Sequence, residues 1–203
     1  MKKIFKSLFT VYLILLLFFI SGCKNKEIDE TKPVTLQEYL EKSKEEWFRT
    51  GKKEYIVQAM MVSKPLSFHN DYENADYLVE DDGETIVIKG TVGEMWASKL
   101  SKVIDTYTRP DGTKIESADF TNKDTYIDLL SIPSADSYYA MFVPKDVSVI
   151  VETAWGDTLY ANSEGTDHGE GDYLVCRVGE DGKPDLSDVW VLNGVIFQNT
   201  YQN

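Results

Sequence analysis

The sequence predicts an α+β fold, mainly β, made of two duplicated small β-rich modules packed together with an N-terminal amphipathic helix and a short connecting helix. Three observations carry this expectation. Strand-type runs with Gly-containing turns between them fill most of the chain after Gly51. Two stretches, 35–51 and 121–130, place apolar residues at helical spacing instead. Short segments of the two strand-rich halves also recur in the same order.

The chain opens with Lys2, Lys3 and Lys6, then an uncharged run of 13 residues from Leu8 to Ile20, which fits a secretory apolar region. As a helix that run reaches about 20 Å, short of the ~30 Å hydrocarbon core of a bilayer. The following Ile20-Ser21-Gly22-Cys23 resembles the cleavage and acylation box of a bacterial lipoprotein precursor. The resemblance implies a signal peptide over 1–22, lipidation at Cys23, and a membrane partner through that anchor, on the extracytoplasmic side of the cell membrane. Two or more acyl chains give lasting attachment where one does not. Residues 23–34, polar and containing Pro33, predict a flexible tether.

With 21 Lys and Arg against 34 Asp and Glu, the chain carries a net charge of −13, and loss of the three leader lysines makes it more acidic still. A nucleic-acid partner is excluded, because binding requires basic residues that displace phosphate counterions. The same field opposes flat docking on anionic lipid. Its simplest consequence is solubility. Once Cys23 is acylated, Cys176 is the only thiol left, so no intramolecular disulfide forms. Cys176 follows Tyr173-Leu174-Val175 and reads as a buried, inert strand cysteine.

Thr35-Leu36-Gln37-Glu38 fits a capping box, so a helix is expected over 35–51, with Gly51 as its C-terminal cap. The first β-rich module is expected over 52–115, with strands at Tyr55 to Val62, Thr85 to Lys89, Met95 to Ala97 and near Tyr107. Turns are expected at Asp82-Gly83 and Asp111-Gly112. Residues 116–136 are expected to form the helical connection, its helix running from Thr121 to Leu130, and 137–203 the second module.

The repeat rests on three pairs of segments: Ala59 to Lys64 with Ala140 to Lys145, Asp76 to Val79 with Asp172 to Val175, and Trp96 and Tyr107 with Trp190 and Tyr201. From Asp76 to Trp96 is 20 residues and from Asp172 to Trp190 is 18, a difference of two, which keeps each strand's buried face. Gly171-Asp172-Tyr173-Leu174-Val175, then Trp190, then Phe197 to Tyr201, resembles the small PGDYG-type domain of bacterial and phage proteins. Gly93 to Lys99 with Val103 to Tyr107 is similar to the closing segment of that family. The resemblance implies a fold and no activity. The chain departs from the family pattern at Glu170, where the family has proline, and at Ala75, where it has glycine.

On this alignment the second half carries an insertion loop over 153–171, a natural binding face on a repeated scaffold. The candidate binding residues are Trp155, Asp157, Tyr160, Asp167, His168 and Glu170, with Trp155 expected to be a partly exposed anchor. Asp157, Asp167, Glu170 and Asp172 are a weak candidate set for Ca²⁺, since their spacing does not match an EF-hand. No metal and no cofactor is otherwise expected. No catalytic residue is assigned, because no serine stands in a Gly-x-Ser-x-Gly elbow and Asp167-His168 cannot form a triad unaided. The chain therefore reads as a non-enzymatic binding or scaffold module for a protein, peptide or glycan ligand of the cell envelope. The alternative is an extracytoplasmic hydrolase using acidic residues such as Asp157 and Glu170, a pairing that glycoside cleavage requires at a defined separation.

Overall fold

The computed structural model describes residues 32–72 and 75–202. The leader, Cys23 and most of the tether lie outside the described residues. Among the described residues fourteen strands and three α-helices follow in order. The N-terminal strap is β1 (Val34–Thr35) and α1 (Leu36–Lys42). Next come β2 (Phe48–Lys52), β3 (Ile56–Met61), β4 (Leu66–Asn70), β5 (Ala75–Val79), β6 (Thr85–Lys89), β7 (Met95–Lys99), α2 (Leu100–Thr106) and β8 (Tyr107–Thr108). After a 3-10 turn at Ser117–Phe120 come β9 (Ile127–Ser131), β10 (Ser134–Pro144), β11 (Val149–Glu152), β12 (Thr158–Ala161), β13 (Gly171–Val178), β14 (Pro184–Leu192) and α3 (Gly194–Thr200). Among the described residues no helix is long and apolar enough to cross a membrane.

Two antiparallel sheets organise the chain, one ordered β7-β6-β3-β9-β8 and the other β14-β13-β10-β2. Their registers match row by row. Ala59 pairs with Ile88 and Ile127, and Ile88 with Trp96. Ala140 pairs with Val175 and Phe48, and Val175 with Trp190. Farther along, Tyr107 stands opposite Ser131 and Tyr201 opposite Lys52. The Ile132 N–H donates to Thr106 O at 3.1 Å, and the Lys53 N–H to Thr200 O at 3.0 Å.

The matched strands cross between halves. β2 leads directly into β3 yet pairs with β10, while β9 leads into β10 yet pairs with β3. Each sheet is thus completed by a strand from the other half, so neither ~60-residue piece, marginally stable by its size, closes its sheet alone. Gly51 allows the crossing: a Cβ there would sit 1.8 Å from the Ser134 carbonyl oxygen.

Each sheet buries both faces. Ala59, Ile86, Ile88 and Leu129 pack with Val103 and Tyr107 from and beside α2, as Ala140 and Val175 pack with Phe197 and Tyr201. On the opposite faces, Val62 and Val87 pack against Val79 of the β4–β5 hairpin, while Met141, Val143, Leu174 and Cys176 lie under β11, β12 and the strap. The aromatic face is densest in the second half, where Tyr173 stacks on Phe197 at 3.8 Å and Phe197 on Tyr201 at 5.1 Å. Aromatic burial of this kind dominates core energetics.

Several expectations are corrected. The helix expected over 35–51 covers only Leu36–Lys42. Thr35 caps it as expected, accepting the Glu38 N–H at 3.2 Å, but it ends at Ser43 and not Gly51. Phe48–Lys52 is a strand because β10 offers an edge whose hydrogen bonds and core face outweigh helical spacing. The helix expected over 121–130 is likewise strand β9 from Ile127, held between β3 and β8. Asp76 to Val79 does not take the place of Asp172 to Val175: it lies in a separate β4–β5 hairpin, and β6 stands opposite β3 as β13 stands opposite β10. Consequently much of the expected insertion is the hairpin β11–β12, whose position between β10 and β13 matches that of β4–β5 between β3 and β6. Helix α3, seven residues long, occurs at the end of the second module, where strand was expected, and α2, of the same length, fills the segment between the strands expected at Met95 to Ala97 and near Tyr107.

Candidate functional site

The expected binding residues divide into an exposed hairpin and a buried latch. Trp155 and Asp157 form the tip between β11 and β12, and Tyr160 projects from β12. The tip is closed by Thr153, whose N–H donates to Asp157 O at 2.9 Å. Trp155 is 56% exposed and its indole Nε1–H donates to Asp157 Oδ2 at 2.8 Å, which steadies the ring without burying it. Tyr160 is 49% exposed. Indole and phenol rings presented this way offer large apolar area with a polar handle, the pattern enriched at binding hot spots.

His168 and Asp172 lie apart from that surface. The Asp172 side chain is buried; its Oδ1 lies 2.7 Å from His168 Nδ1 and accepts the Gly194 N–H at 3.0 Å, while Oδ2 accepts the Asn162 N–H at 2.8 Å. Asn162 closes the ring by accepting the Asp172 N–H at 3.0 Å. The other nitrogen of His168, Nε2, lies 2.8 Å from Ser163 O. Both ring nitrogens therefore face oxygens inside the fold. Gly171 is required beside this latch, with φ of +146° and a would-be Cβ 2.1 Å from Val143 O. The Gly-Asp-Tyr segment thus anchors the start of α3 to the start of β13.

The acidic residues are dispersed. Asp167 is exposed and its Oδ1 accepts the Gly169 N–H within its own turn, while exposed Glu170 gives its carbonyl to the Lys145 N–H at 3.1 Å. Asp157 is engaged by Trp155, and Asp172 is used internally. Among the described residues no group of three or more His, Cys, Asp or Glu is placed to hold a metal ion. Cys176 is fully buried, and burial pushes its thiol up to about 12, the opposite of an activated nucleophile.

A second surface was not anticipated from the sequence. The β4–β5 hairpin carries a concave face of about 420 Å³ lined by Ser67, Phe68, His69, Asp76, Tyr77 and Leu78. Phe68 and Tyr77 stack at 5.2 Å, and Leu78 is 63% exposed. Tyr160 and Leu78 occupy matching positions, each facing the second residue of the preceding hairpin strand. His69 stands between Asp76, at 2.8 Å from its Nδ1, and Asp71, at 3.8 Å from its Nε2. Period-two alternation in Leu66–Asn70 is the signal for it in the sequence. The Thr166 hydroxyl donates to Asp71 O at 2.8 Å, so the loop before β13 touches this hairpin from the other half.

The sequence matches no family model and no curated protein, and the fold matches no solved structure.

Proposed function

We propose that this chain is a lipid-anchored extracytoplasmic binding or scaffold module without chemistry of its own. The observation that carries the reading is the commitment of the reactive side chains: His168 and Asp172 are spent on an internal latch and Cys176 is buried, while Trp155 and Tyr160 stand exposed on one hairpin. Large aromatic rings turned to solvent suit capture of a protein, peptide or glycan of the cell envelope. The basic leader, apolar run and Cys23 support delivery through the export route and attachment by acyl chains.

We also propose that the two halves descend from one duplicated module resembling the PGDYG-type domain. The matched rows through Ala59 and Ala140, and the matched pairing of Tyr107 and Tyr201, support that origin.

Binding is tested by titrating the full chain in detergent with envelope peptides and with soluble cell-wall glycan fragments, following tryptophan emission. A ligand whose affinity falls roughly tenfold or more in Trp155→Ala, as expected when a hot-spot aromatic is truncated, supports the reading. Turnover of that ligand, lost in a folded His168→Asn variant, overturns it. Intact mass is expected to carry an acyl increment that Cys23→Ser removes.

A further inference from the structure

We propose that the outer edge of β4 accepts an extended, cationic protein segment as an added strand. This deepens the binding reading but uses a surface separate from Trp155 and does not depend on the anchor.

The second half supplies the template. There the hairpin β11–β12 is extended by β1, which runs parallel to β11 with Val34 opposite Val149 and Thr35 opposite Ile150. The Val34 N–H donates to Ser148 O at 2.9 Å. Under the strap, Val149 and Val151 are fully buried. In the first half, among the described residues, β4 pairs with β5 alone, and the matching side chains, Leu66 and Phe68, are half-buried. The main-chain groups that match those facing β1 are the Pro65 carbonyl and the Ser67 N–H. An unpaired edge with this pattern is the standard acceptor for strand addition, in which backbone bonds supply affinity and alternate side chains supply selection.

The surroundings select the sign of the partner. Asp71 and Asp76 flank His69 with side chains 89% and 91% exposed. Glu80, Asp81, Asp82 and Glu84 follow directly after β5. Two of the nearby lysines are engaged, Lys123 with Asp81 and Lys99 with Asp82 and Glu84, while exposed Lys64 precedes β4 beside Asp124. A strand alternating basic and apolar residues would place its cations on the exposed face of His69, Asp76 and Leu78, near Asp71, and its apolar side chains along Leu66 and Phe68 on the other face.

The probe is a synthetic peptide alternating lysine and valine, compared with one alternating glutamate and valine, added to the full chain in detergent. Expected are binding of the lysine peptide alone and slowed amide exchange at Ser67. Ser67→Pro, which removes the edge donor, and Asp76→Lys are each expected to weaken binding tenfold or more, whereas Trp155→Ala leaves it unchanged. No binding, binding that ignores both edge variants, or exchange protection on β12 in place of β4 overturns the proposal. Loss in Trp155→Ala with the edge variants silent would spare the Trp155 reading and reject this one.

Discussion

Asp172 and Gly194 are joined across 22 residues by a 3.0 Å hydrogen bond from the Gly194 N–H to the Asp172 carboxylate. The same carboxylate receives Asn162 and faces His168, so one side chain ties β12, the loop before β13 and α3 together. Asp172→Ala is expected to leave two buried N–H donors unpaired and cost about 3 kcal/mol or more. For a chain of this size that is a fall of about 6–12 °C in melting temperature, read by calorimetry. A loss under about 1 kcal/mol would mean water takes over the carboxylate's role.

Gly51 sets a second expectation. Its replacement by alanine puts a Cβ 1.8 Å from a main-chain oxygen, Ser134 O, which cannot rotate away. Gly51→Ala is expected to destabilise by about 2 kcal/mol or more through overpacking. Because β2 links the two sheets, the loss is expected in a single unfolding transition for both halves. Two separate transitions in denaturant would show that the exchanged strands do not couple them.

Alkaline pH tests the centre of the molecule. Burial, then the charge and hydrogen bond of Tyr55, raise Tyr107, and burial followed by neighbouring Tyr138 raises Tyr201, both well above the ordinary value of 10.0. A group whose folded value is raised contributes stability that is fully present below its unfolded value and is lost as pH climbs past it. Stability is therefore expected to fall steeply above pH 10. Tyr201→Phe should flatten that fall, as measured by urea unfolding at stepped pH; an unchanged slope would reject the assignment.

Cys176 offers a chemical test. With no exposure and a thiol held up at about 12, it is expected to resist a disulfide reagent at pH 8 in a Cys23→Ser background. Labelling should appear only on unfolding in denaturant. Fast labelling of the native protein would place the thiol at the surface.

Much was legible along the chain where local chemistry decides: the Thr35 cap, the Asp-Gly turns, the strands near 56–61, 85–89 and 95–99, and the repeated Trp-to-Tyr spacing. Trp155 was legible too, as a large ring in a polar, Gly-containing turn. The failures cluster at β2 and β9, the two strands whose pairing partners lie in the opposite half. Their apolar residues satisfy helical and strand spacing alike, and only an available edge of β10 or β3 resolves the ambiguity. The shared Asp-Tyr-Leu-Val of 76–79 and 172–175 hides the β4–β5 hairpin for a different reason: the two segments read alike but lie in non-equivalent strands, so the β11–β12 hairpin looks like an insertion.

Sequence by itself determined the acidic balance, the basic residues and apolar run ahead of Cys23, and the mainly β character, because composition and short-range periodicity are properties of the chain alone. Tertiary structure decided which half each leading strand completes, how Asp172 and His168 are spent, and which hairpin β1 extends. Those outcomes depend on pairing across long separations, where the hydrogen-bonding and burial gained at a specific edge outweigh local preference.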